Sequence, residues 1–168
     1  ATIGTGIGGG IIVNGQIISG SKGGAGEIGH ICVNKDETEK CSCGKTGCLE
    51  QYASATGIVR MAKEKLHRYD ITAKDIFDEA KAGDASANEL INQLGEFLGT
   101  ALASVANVTN PQIFVIGGGV SKAGKILIDA TEHHFRKQAF HICSDARFVL
   151  AKLGNDAGIY GSVQLILK

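Results

Sequence analysis

The sequence predicts an α/β domain with a mixed β-sheet flanked by helices, and three observations carry that reading. Short β-branched runs punctuated by glycine fill the first 18 residues, with Asn14-Gly15 between two of them. From about Leu49 onward the apolar residues take helical spacing. Two later apolar runs, QIFVIGGGV and ARFVLAKL, enclose an amphipathic stretch in the order strand, helix, strand.

The opening strands are placed at Thr2–Ile3 and at residues 11–13 and 16–18. Asn-Gly between the last two calls for a type I′ turn, which needs positive φ at both central residues, so the chain opens as an antiparallel meander. Residues 49–69 follow as helix, broken near Gly57, with Ile58, Met61, Ala62 and Leu66 on one buried face. Thr72 and Asp84 read as N-caps of two more helices. The second of these, residues 85–106, is long and rich in Leu, Ala and Gly, and Asn110-Pro111 stops it. QIFVIGGGV is then a buried strand ending in a glycine turn, SKAGKILIDATEHHFRKQAF a helix, ARFVLAKL a strand and DAGIYGSVQLILK a final helix.

At 168 residues the chain is one domain of ordinary size, long enough to bury roughly 70% of the surface its unfolded form exposes. Basic and acidic residues balance at 17 each, which gives no electrostatic pull toward nucleic acid or an anionic membrane. No apolar run approaches the ~20 residues of a membrane span, and no signal-peptide pattern is present. The first residues, ATIG, read as the middle of a strand, so the sequence is expected to be a piece of a longer protein. The 24 glycines, with one proline and no repeat period, point to sites of close backbone approach or positive φ.

Chemistry concentrates in four stretches. His30, Cys41, Cys43 and Cys48 have the spacing H-x10-C-x-C-x4-C, with Gly44 and Gly47 between the thiols. A Cys3His set suits tetrahedral zinc, and a tight knuckle needs glycine. With five cysteines and no secretory signal, disulfides have little support. Spacing alone still leaves a Cys43–Cys48 pairing open. Cys32 and Cys143, in apolar surroundings, are expected in the core.

GTGIGGG, residues 4–10, follows a strand and opens into another strand, so it is neither a Rossmann fingerprint nor a P-loop, both of which need a helix next. Its backbone N–H groups and the Thr5 hydroxyl suit phosphate oxygens; a tightly packed glycine hairpin is the alternative. VIGGGVSKAG, residues 115–124, is a second glycine turn, after a strand and before a helix, where ligands of open sheets collect. In GEIGH, Glu27 and His30 stand in a stretch with too few apolar residues for a core element. Glu27 and Glu50 are either acceptors for vicinal hydroxyls of a polyol or solvated loop acids. His67, His133, His134 and His141 are isolated and read as surface residues, and the charges around 63–65 and 75–81 as solvated helix faces.

Taken in order, GTGIGGGII, GAGEIGH, CSCGKTGCLE and IGGGVSKAG resemble the sugar kinases of the ROK family (repressor, open reading frame, kinase), most closely its bacterial glucokinase branch of Gram-positive type. The likeness runs over nearly the whole chain, including ASATGIVRMAKEKL and LGNDAGIYGS. It implies a ribonuclease-H-like, actin-like ATPase fold, with residues 1–168 as the larger, C-terminal domain of a two-domain kinase. It implies that Gly4, Thr5, Gly6 and Gly8 meet the ATP phosphates and that Gly117, Gly118 and Gly119 form the adenosine turn. Glu27, His30 and Glu50 would contact sugar, and His30, Cys41, Cys43 and Cys48 would bind a structural zinc. Mg-ATP would be co-substrate and glucose the acceptor. The family is cytoplasmic, with neither nucleic acid nor membrane as partner of this domain, and is usually dimeric or tetrameric through it.

The resemblance also places the catalytic Asp and the first phosphate loop upstream of residue 1. No acid here matches that base, Asp36 and Asp156 included, so the 168-residue chain by itself is expected to be inactive toward glucose. Alternatives are the ligand-binding domain of a sugar-responsive repressor of the same family, or a kinase for N-acetylmannosamine, N-acetylglucosamine or fructose. The closing helix is expected to expose apolar surface at Ile159, Val163 or Leu165, since in the family it packs toward the other domain.

Overall fold

Asn14 and Gly15 both have positive φ, 52° and 75°, and close a two-residue hairpin between β3 (Ile12–Val13) and β4 (Gln16–Ile17), paired Ile12 to Ile17 and Val13 to Gln16. The computed structural model describes residues 1–166, with Asn155, Leu165 and Ile166 described by backbone alone. Ahead of this hairpin, β1 (Thr2–Ile3) and β2 (Ile7–Gly8) pair antiparallel across the turn at residues 4–6.

Later strands β5 (Ile113–Ile116) and β6 (Arg147–Leu150) pair in parallel. β1 joins them, because Ile3 N–H donates to Gly117 O and Gly117 N–H to Ala1 O, and Thr2 bridges Gly117 in parallel sense. The sheet order β2-β1-β5-β6 is therefore mixed, antiparallel on one side of β1 and parallel on the other, as expected from the sequence.

The helices are α1 (Glu50–Ala53), α2 (Ala55–Leu66), α3 (Ala73–Lys81), α4 (Ala85–Thr109), α5 (Lys125–Gln138) and α6 (Ala157–Ile166). Thr72 caps α3 in a capping box with Asp75, and Asp84 Oδ1 accepts from Ala87 N–H at the start of α4. Several boundaries differ from expectation; α4, for one, runs to Thr109, three residues past its expected end. The break in the first helical stretch falls at Ser54, whose hydroxyl accepts from Gly57 N–H and caps α2, and not at Gly57. Gly57 is a close-packing glycine: a Cβ there would stand 2.7 Å from Gln51 O. That stretch also ends at Leu66, where His67 takes a left-handed C-cap, short of the expected Tyr69. Residues 119–123 form a separate 3-10 turn, and Gly124 at φ 78° starts α5.

The core lies where α4 crosses α5. Leu90, Leu94, Leu98 and Leu102 of α4 and Leu127 and Phe135 of α5 are fully enclosed. Gly95 and Gly99 let the two backbones meet, since a Cβ on either would fall within 2.7 Å of the α5 backbone. Aromatic rings close the sheet side: Phe114 contacts Phe135 and Phe148 at 5.5 and 5.0 Å between centroids. Cys143 is buried as expected, but Cys32 is exposed, which corrects its placement in the core. Ile159 and Val163 of α6 are exposed as expected; the Leu165 side chain lies outside the described residues. Among the described residues, no helix is long and apolar enough to cross a membrane.

Candidate functional site

The site starts on a 3-10 turn at Ile28–His30. Gly29 is pressed so closely on β2 that a Cβ would stand 2.1 Å from Ile7 O. Ile28 is buried in the core, which corrects the reading of GEIGH as lacking core character. Glu27 precedes the turn and is exposed, and His30 closes it, half-buried.

The knuckle is closed by backbone bonds that only glycine permits. Val33 and Asn34 N–H both donate to Gly47 O, and Gly47 at φ 73° leaves no room for a side chain: a Cβ would lie 1.7 Å from Asn34 O. Cys41 N–H donates to Lys45 O at 2.7 Å and Gly44 N–H to Cys41 O at 2.8 Å. These turns aim His30, Cys41, Cys43 and Cys48 inward, with all four donor atoms within 4.8 Å of one another. Cys41 Sγ lies 3.7 Å from His30 Nδ1 and Cys43 Sγ 3.6 Å from Cys48 Sγ. All five cysteines are free thiols, so Cys43 and Cys48 are neighbours and not a disulfide.

These separations fit one tetrahedral ion. Zinc bonds of ~2.3 Å to sulfur and ~2.05 Å to nitrogen, at tetrahedral angles, put two sulfurs about 3.8 Å apart and a sulfur and nitrogen about 3.6 Å apart. Burial, then the neighbouring Cys43 and Cys41, push the Cys48 thiol up to about 12, while the Lys45 N–H holds Cys43 below its usual range. A metal bound here displaces those protons.

Glu50, first residue of α1, links the knuckle to the first glycine turn. Its Oε1 accepts from Cys41 Sγ at 3.0 Å and Ser42 Oγ at 2.8 Å and lies 3.9 Å from His30 Nδ1. Its Oε2 lies against the first glycine turn, 2.7 Å from where a Cβ on Gly6 would stand. Burial opposes the charge, but the bonds from Cys41 and Ser42, with His30 and Ile7, outweigh it and hold the carboxyl below its usual range.

The two glycine turns come together at one sheet edge. Because β1 and β5 run parallel, the turn after β1 at residues 4–6 and the turn after β5 at 117–119 leave the sheet at the same end, the strand C-terminal edge where open sheets bind ligands. Gly118, at φ 85°, lies so near β1 that a Cβ would stand 2.4 Å from Ile3 O. The start of α2 braces the first turn: Ala55 N–H donates to Gly4 O at 2.8 Å and Thr56 Oγ1 to Thr5 O at 2.7 Å. A cavity of about 470 Å³ opens between this turn and the knuckle, lined by Thr5, Gly6, Cys41, Ser42, Glu50 and Thr56 among others. A second, of about 330 Å³, lies beyond the start of α2 between the Gly119–Ala123 turn and α3, lined by Gly119, Val120, Ala123, Lys74, Phe77 and Lys122 among others. Glu27, His30 and Gly8 line neither cavity.

His67, His133 and His141 are exposed, as expected, while His134 is half-buried and bonded to Asn92 Oδ1 at 2.9 Å. Residues that sequence reasoning passed over are Ser42, Thr56 and the group Glu37, Tyr52 and Arg60. Ser42, inside the C-x-C, was open to notice as the hydroxyl flanked by both candidate ligands.

Residues 1–168 match the family model described as ROK family. The chain is 48% identical over 98% of its length to a glucokinase of Halalkalibacterium halodurans, covering 54% of that protein. It is 39% identical over 80% of its length to an N-acetylglucosamine repressor of Escherichia coli, covering 35% of it. Among solved structures it superposes on a ROK glucokinase from Streptomyces griseus in complex with glucose and AMPPNP, with TM-score 0.88, 35% identity, and 98% of this chain and 58% of that one covered. The chain thus spans little more than half the length of these kinases.

Proposed function

The chain belongs to the ROK family, and from that membership and the site geometry we propose that it supplies the sugar-recognition loop and the nucleotide-contacting turns of an ATP-dependent kinase that phosphorylates glucose. The observation that carries this reading is Glu50, whose carboxylate accepts from Ser42 Oγ in the knuckle at 2.8 Å and lies against the first glycine turn, where a Cβ on Gly6 would stand 2.7 Å from its Oε2, so one residue registers two loops.

In this reading Glu27 and Glu50 accept bonds from sugar hydroxyls, and His30 presents its outer ring nitrogen, Nε2. His30, Cys41, Cys43 and Cys48 would hold a zinc ion, which would supply a rigid structural tie for the loop. Backbone N–H groups of Gly4, Gly6 and Gly8 and the Thr5 hydroxyl hold phosphate oxygens, and the Gly117, Gly118 and Gly119 turn carries the adenosine, with the 330 Å³ cavity beside it for the base. These residues bind and orient; phosphoryl transfer asks mainly for positioning and charge neutralisation. The kinase of Streptomyces griseus, solved with glucose and AMPPNP, supports this pairing of ligands.

The test is a coupled assay on the protein that carries this chain, given Mg-ATP and glucose, fructose, N-acetylglucosamine or N-acetylmannosamine in turn. Turnover with glucose preferred supports the proposal. Sugar binding without turnover assigns the domain to a sugar-responsive regulator, a second reading that the similarity to the repressor favours. Preference for an amino sugar moves it to another kinase of the family.

A further inference from the structure

Between the last pairing of Asn34 and the bridge of Lys40 to Thr46, residues 35–39 belong to no strand or helix. Every hydrogen bond that the structure describes for this stretch involves a side chain. Asp36 N–H donates to Asn34 Oδ1, Thr38 and Glu39 N–H both donate to Glu37 Oε1, and Gln51 Nε2 donates to Glu39 O. This is the free span of the ten-residue loop joining His30 to Cys41, so its order sets how far apart those two donors stand.

One cluster holds it. Tyr52, 6% exposed and stacked on Phe97 of α4 at 4.3 Å, donates its hydroxyl to Glu37 Oε2 and accepts from Asn34 Nδ2 at 2.9 Å. Arg60 of α2 donates to Glu37 Oε2 at 2.8 Å, to Glu39 Oε2 at 3.1 Å and to Gln51 O at 3.2 Å, with its guanidinium over the Tyr52 ring at 5.1 Å. Gln51 completes the tie, since its Oε1 accepts from Cys48 N–H at 3.0 Å. Loop ends that must meet at a ligand cost less to close when the loop between them is already ordered.

We infer that Tyr52, Glu37 and Arg60 form a clamp that positions the metal site, pre-setting His30 against Cys41 and so slowing metal release. The inference rests on the metal reading above. None of the three is a candidate ligand or a proposed sugar contact, although Arg60 also lines the 470 Å³ cavity, so the test reads metal release and not sugar binding.

The experiment is zinc transfer from the 168-residue chain to a chromogenic chelator at fixed pH, for the parent chain and for Glu37→Gln, Tyr52→Phe, Arg60→Met and Arg60→Lys. The parent is expected to hold one zinc. Glu37→Gln and Arg60→Met are expected to release it at least tenfold faster at unchanged stoichiometry, with Arg60→Lys in between because an ammonium keeps one bond to Glu37. Arg68→Met is the control. Arg68 pairs with Glu79 at 2.7 Å between the end of α2 and α3, away from the knuckle, so its loss lowers stability without changing release. Tyr52→Phe removes one hydroxyl and keeps the stack on Phe97, and it decides the matter should Arg60→Met not fold. A parent chain without zinc overturns the metal reading itself. A zinc-bearing parent whose variants release within twofold of it overturns the clamp alone, as does equal acceleration by Arg68→Met.

Discussion

A Cβ built on Gly6 would stand 2.7 Å from Oε2 of Glu50. The obstacle is the end of a flexible side chain, so Gly6→Ala displaces the Glu50 carboxylate and leaves the backbone in place. We expect its melting temperature to stay within about 2 °C of the parent, because no buried backbone has to move. Hexose binding should fall about 10- to 100-fold, the range for one misplaced charge-assisted hydrogen bond at about 1.5–3 kcal/mol. Calorimetry with glucose on the protein that carries this chain, beside a thermal melt, checks both halves; unchanged affinity would remove Glu50 from the sugar site.

What the sequence announced depends on how local each signal is. Asn14-Gly15, Thr72 and Asp84 act within three residues of themselves, and the hairpin and both caps stand where they were expected. The H-x10-C-x-C-x4-C spacing likewise brought four donors together, since glycines inside the knuckle do the turning. Gly57 misled because a glycine in a helical stretch reads as a break, whereas here it admits the Gln51 carbonyl. Cys32 misled through its apolar neighbours: Ile31 and Val33 point inward and the residue between them points out, an alternation that was there to read. The Glu37–Tyr52–Arg60 clamp joins residues 15 and 23 positions apart and leaves no period in the sequence.

Removing the metal should loosen the knuckle more than the core. Elemental analysis is expected to find about one zinc per chain, and Cys41→Ser or Cys48→Ser to lose it. Chelation should then expose residues 30–48 to proteolysis, while the α4–α5 core, whose hydrophobic cluster includes none of the four donors, keeps its helical signal. Full protection of that segment after zinc is stripped would argue that the backbone bonds of Gly44 and Gly47 suffice without an ion.

Gly95→Ala and Gly99→Ala test the helix crossing. Each methyl would meet backbone, at 2.7 Å from Ala130 and at 2.6 Å from Thr131 O, so α4 and α5 must separate. Overpacking of this kind costs about 1–3 kcal/mol, which for a chain of this size lowers the melting temperature by roughly 2–12 °C. Differential scanning calorimetry reads the shift, and zinc content should stay the same in both variants.

The last prediction concerns acid. Donation from the Tyr52 hydroxyl and the Glu39 N–H, together with the Arg60 guanidinium, outweighs burial and holds the Glu37 carboxyl at about 2, against an ordinary 4.5. A carboxyl whose folded value lies below its unfolded one stabilises the fold fully above about pH 4.5, and that contribution drains away as pH falls toward 2. Arg60 is shared with Glu39 and Glu64, at 3.1 and 3.7 Å, and those exposed acids blunt the effect. Allowing for solvent screening, we expect Glu37 to contribute about 1–2 kcal/mol at pH 7. Urea midpoints for the parent and Glu37→Gln should therefore differ most at pH 7, converge through pH 4 and nearly coincide at pH 2. A gap that stays constant over the whole range would mean that Glu37 acts through its shape and not its charge.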